Sequence, residues 1–105
     1  MKVVREELKM QKEAGIFGKN KATFRYRIGV QNLKKDSETV NIFDQMPVSQ
    51  TESIKVKLTE SSPQPGEKKD DGILKWVLIM QPSEKREITF QFEVEYPREG
   101  GIEGL

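Results

Sequence analysis

Asp44 opens the run Asp44-Gln-Met-Pro47-Val-Ser49, which sets a carboxylate and a hydroxyl on either side of a proline. A carboxylate at the end of a strand can reach a partner or a cation from the rim of a domain. It can equally accept backbone N–H bonds and fix the turn before Pro47, the common use of aspartate where a strand stops at proline. Glu67, Asp70 and Asp71 form a second acidic group whose oxygens would suit calcium. Lys68 and Lys69 lie between them, and the spacing is not that of a calcium loop. The expectation is a solvated loop without metal. Lys19, Lys21, Arg25 and Arg27 make a basic patch that could contact phosphate or an acidic polysaccharide. On a strand the same side chains can pair with outward glutamates, for about 0.2–1 kcal/mol each. Trp76 sits among core positions, where a tryptophan packs between sheets rather than stacking on sugar.

Other chemistry is thin. The chain has no cysteine, hence no disulfide, thiolate metal site or cysteine nucleophile. It has no histidine either, which removes the commonest general base and metal ligand at neutral pH. A hydrolase built on Asp or Glu ranks last, and the expectation is a protein with no catalytic residue, no cofactor and no metal. Eighteen basic residues against 17 acidic leave a net charge of +1, whereas a nucleic-acid binder draws its affinity from a basic excess. No apolar run approaches the roughly 20 residues that span a bilayer, and the amino terminus lacks a signal-peptide core. Neither fixes a compartment.

The elements that carry these residues read as strands. Ile88, Phe90, Phe92, Val94 and Tyr96 alternate with Thr89, Gln91, Glu93 and Glu95, so one face is apolar and the other polar. Phe24, Tyr26, Ile28 and Val30 repeat the pattern. Such one-sided strands belong to antiparallel sheets. Thr39 to Phe43 follows, ended by Pro47, then a half-buried strand through Ile54, Val56 and Leu58. Ser61 to Gly72 reads as a polar loop, and Ile73 to Met80 as the most apolar strand. Pro82 sets a tight turn, from which Glu87 to Tyr96 is expected to return antiparallel to that strand. Val3 to Lys12 suits a helix or an edge strand; Gly15 and Gly18 offer a turn, which favours the strand. Residues 97–105, with three glycines after Pro97, read as a loose tail.

A chain of 105 residues is then one all-β domain, 1–105, of six strands, or seven if the tail adds one. Residues 1–16 supply the edge strand and turn. The expected core is Phe24, Tyr26, Ile28, Val30, Val40, Ile42, Leu74, Trp76, Leu78, Ile88, Phe90, Phe92 and Val94. Ile73, Val77 and Ile79 point away from it with only Lys75 polar among them. A strand apolar on both faces needs cover on both. Val3 to Met10, the rest of a parent protein, or another copy in a weak homodimer could provide it.

The order of these segments resembles a known family. Thr23-Phe-Arg-Tyr-Arg-Ile, Asp44-Gln-Met-Pro-Val-Ser49, Gly72-Ile-Leu-Lys-Trp76 and a tyrosine-proline ending are similar to the carboxy-terminal domain of unknown function in mucoidy inhibitor A-like proteins. The resemblance covers about Phe17 to Leu105. More loosely, the chain is similar to immunoglobulin-like repeats of bacterial and archaeal surface proteins, with Ser83 where their turn has glycine. Both resemblances imply an immunoglobulin-like antiparallel β-sandwich without a known catalytic residue. The first also implies a module excised from a larger protein, with a place at the cell envelope. The functional expectation is a non-enzymatic interaction or assembly module, the alternative a carbohydrate- or polyanion-binding module using Arg25 and Arg27.

Overall fold

The computed structural model describes residues 1–14, 18–49, 51 and 53–97. Within them the chain forms seven strands: β1 (Lys2–Ala14), β2 (Lys19–Gln31), β3 (Glu38–Gln45), β4 (Lys55–Ser62), β5 (Glu67–Lys68), β6 (Ile73–Met80) and β7 (Lys85–Pro97). They make two antiparallel sheets, a four-stranded one ordered β1-β2-β7-β4 and a three-stranded one ordered β3-β6-β5. The expected sandwich is present, with the four-plus-three division of an immunoglobulin constant-type domain. The chain reaches those positions by its own route, because the last strand, β7, lies beside β2.

That position corrects the pairing expected from sequence. Glu87 to Tyr96 does not return along β6; it crosses to the other sheet and pairs with β2 and β4. Register supplies one reason. Ala22, Phe24, Tyr26 and Ile28 lie opposite Val94, Phe92, Phe90 and Ile88, so the two alternating patterns fall in phase and one apolar face forms. The other reason is the turn. Pro82 precedes Ser83, whose φ is 64°, and the Glu84 N–H donates to the Gln81 carbonyl at 3.1 Å. The left-handed backbone at Ser83 explains why glycine suits this place.

Asn32 holds the turn against the end of β2. Its Nδ2 donates to the carbonyls of Asp36 (2.9 Å), Gln81 (3.1 Å) and Met80 (3.4 Å). Its backbone N–H donates to the Glu84 carbonyl at 2.9 Å, and its Oδ1 accepts the Lys34 N–H. This side chain is fully buried, and each of its polar atoms has a partner, as burial requires.

Aromatic rings fill the space between the sheets. Phe24 stacks on Phe92 with centroids 5.0 Å apart, Tyr26 lies 5.5 Å from Phe90, and Trp76 crosses from the other sheet to within 5.4 Å of Phe90. The Trp76 Nε1 donates to the Pro63 carbonyl at 2.9 Å, which satisfies its one polar atom. Eleven of the thirteen expected core residues are buried. Tyr26 and Val40 are only half-buried and pack against the core from its margin. Ala22, Met46 and Met80 complete the core.

The seventh strand is β5, from the segment read as a polar loop; two residues are too few to show a period. The tail expected at 97–105 lies outside the described residues beyond Pro97, as does the turn at 15–17. Val3 to Lys12 is strand, within β1, and every residue of β1 is exposed. It pairs with β2, in the sheet opposite β6, and so does not cover Ile73, Val77 and Ile79.

Candidate interaction surface

The β3–β6 register sets Thr39, Asn41, Phe43 and Gln45 opposite Ile79, Val77, Lys75 and Ile73. These eight residues make the outer face of the three-stranded sheet, since Val40, Ile42, Leu74, Trp76 and Leu78 turn inward to the core. Phe43, Val77 and Ile79 are 59%, 52% and 62% exposed, while Ile73 is half-buried. The Lys75 ammonium lies 5.8 Å from the Phe43 ring centroid, within reach of a weak cation–π contact. The result is a small apolar face with one cation near its middle. Phe43 is the member missed by sequence reasoning. Its signal was present, since Val40 and Ile42, two residues apart, share the inward face, and Phe43 follows Ile42 directly to the other face.

The Asp44 carboxylate is already engaged. Arg5 Nε donates to Oδ2 at 2.7 Å, and the Gln45 N–H donates to Oδ1 at 2.8 Å. Arg5 reaches it from β1 while its guanidinium carbon sits 4.1 Å from the Tyr26 ring centroid, so one side chain ties β1 to β3 of the other sheet. The hydrogen bond to Asp44 raises the Arg5 pKa above its ordinary value, and the charge of Asp44 adds to this against a desolvation that lowers it. Ser49 serves a local turn: its hydroxyl donates to the Thr51 carbonyl at 2.6 Å and accepts the Thr51 N–H.

Each cation of the basic patch meets a carboxylate. Lys19 lies 3.4 Å from Glu95 and Lys21 3.7 Å from Glu93. Arg25 binds Glu60 at 2.6 Å, and Arg27 binds Glu6 and, at 3.3 Å, Glu87. The hydrogen bond to Glu6 raises the Arg27 pKa. In the acidic segment, Asp71 Oδ1 accepts the Ile73 N–H at 3.2 Å, fixing the entry to β6. Among the described residues no three His, Cys, Asp or Glu side chains converge as a metal-ligand set. No described helix is long and apolar enough to cross a membrane.

Fold and surface together define an all-β sandwich domain with an exposed apolar sheet face. The family model described as Domain of unknown function (DUF4139) matches residues 1–98, and the chain belongs to that family. The match begins at residue 1, so β1 is part of the family's domain. No curated protein and no solved structure gives a match to the chain.

Proposed function

We propose that the domain is a non-enzymatic interaction module whose contact surface is the outer face of β3 and β6. One observation carries this reading: Phe43, Val77 and Ile79 stand exposed together on one sheet face. Burying each would contribute roughly 1.5–3 kcal/mol, and clustered apolar side chains on a small domain mark a contact site more often than scattered ones. The partner proposed is another part of a larger parent protein, in keeping with the resemblance to mucoidy inhibitor A-like proteins, with a second copy of the domain as the other occupant. Covalent footprinting tests it. Val77 and Ile79 should label readily in the isolated domain and be protected in the parent protein. Equal labelling in both overturns the reading.

The polyanion-binding alternative has less support, because Lys19, Lys21, Arg25 and Arg27 each already lie against a carboxylate. Salt separates the two. Apolar association survives high ionic strength, whereas retention on a polyanion is lost.

A further inference from the structure

The four-stranded sheet ends at β1, and among the described residues no strand lies beyond it. At 13 residues, β1 is longer than the other edge strands, β3 and β4 at 8 and β5 at 2. An edge of this length presents a row of unpaired peptide groups, a template for another strand. Proteins usually blunt such edges with like charges or a bulge. β1 does have a bulge, at Leu8 between Glu7 and Lys9. Its charges, however, are mixed: Lys2, Arg5, Lys9 and Lys12 against Glu6, Glu7 and Glu13.

We infer that β1 pairs antiparallel with β1 of a second copy, joining two four-stranded sheets into one of eight strands. The register follows from two conditions. Opposed residues must share a face, and a two-fold axis must relate the copies. The β1–β2 register puts Lys2, Val4, Glu6, Lys9, Gln11 and Glu13 on the outer face and Val3, Arg5, Glu7, Met10 and Lys12 on the inner one. With Glu7 on the axis, Lys2 of one copy lies opposite Glu13 of the other, and Glu6, whose carboxylate also accepts from Arg27, opposite Lys9. Each pair occurs twice, giving four opposite-charge contacts. The single like-charge pair is Glu7 against its own copy. Moving the axis one step, to Lys9, loses all four contacts and sets Arg5 against Lys12. Moving it the other way, to Glu6, leaves two such contacts, Arg5 against Glu7 in each direction, so charge favours a second copy in the Glu7 register. This interface is separate from the β3–β6 face.

Sedimentation equilibrium of the 105-residue chain tests it. A concentration-dependent dimer is expected. Lys9→Glu turns two attractive pairs repulsive and should weaken it about tenfold, with Lys2→Glu acting in the same direction. Glu7→Gln removes the repulsion on the axis and should tighten it severalfold. All three positions are exposed, so the melting curve of dilute protein should not move, and a variant whose curve does move is set aside in favour of the other two. A chain that stays monomeric up to its solubility limit overturns the inference. So does a dimer indifferent to these changes but dissociated by Val77→Lys, which would place self-association on the β3–β6 face instead.

Discussion

Asn32 concentrates more hydrogen bonds than any other described side chain, all inside the protein. Replacing it by alanine leaves the carbonyls of Met80 and Gln81 without their donor in a dry site. Asn32→Ala should cost about 2–3 kcal/mol, read as a lower urea midpoint. Gly72 is held by backbone rather than side-chain demands. Its φ is +83°, and an added Cβ would press on the Met46 carbonyl oxygen, which itself belongs to the strand end bonded to Gly72. Gly72→Ala should therefore destabilise by about 1–3 kcal/mol in the same assay. Glu84 gives the fold a pH response. The hydrogen bond from the Gln81 N–H, then the one from Arg86, holds its carboxyl below the ordinary carboxylate value. A carboxyl whose pKa is lower folded than unfolded adds stability that is full above the unfolded value and lost as pH falls through the folded one. Melting temperature should drop on acidification below about pH 4.5, and Glu84→Gln should flatten that limb.

The strands differ in how much of their role is legible from residues. β2 and β7 declare themselves, since strict alternation fixes which side chains are buried. Phe92→Ala should cost about 3–5 kcal/mol, and Glu93→Ala, on the outward face, should stay within about 0.5 kcal/mol of the parent. Alternation names the buried face but not the neighbour. A strand leaving a tight turn is as regular whether it folds back or crosses to the opposite sheet, so alternation alone cannot tell that β7 pairs with β2 and β4 rather than with β6. The deciding contacts come from Asn32, which is 48 residues from Met80 in sequence and has no period to reveal it. β5 and β1 carry no burial pattern, for opposite reasons, and β1 is readable as a strand only through the glycines that follow it. The first is too short to show a pattern, and the second, exposed on both faces, carries none that burial would impose. The candidate surface was half legible: Ile73, Val77 and Ile79 came from the excess of apolar residues on β6, whereas their neighbour Phe43 needed the β3–β6 register.

At the scale of the molecule, no three His, Cys, Asp or Glu side chains converge among the described residues, and calcium should leave the melting temperature unchanged; a rise of several degrees would reveal a site. The domain is long, 54 × 24 × 20 Å with a radius of gyration of 16.3 Å, against about 13 Å for a compact chain of 100 residues. Three 13-residue strands, β1, β2 and β7, set that length. Their registers place Lys2 beside Gln31 at one end and Pro97 beside Lys19 at the other. Tension applied between Lys2 and Pro97 therefore runs along the strands, while ladder hydrogen bonds lie across them. The β1–β2 and β2–β7 ladders would have to slide, many bonds failing together. Pulling instead from Lys2 and Gln31, neighbours at one end, peels β1 from β2 one bond at a time. In an optical trap the first geometry should rupture at several times the force of the second, giving the domain the mechanics of a stiff link along its length and a soft one across it.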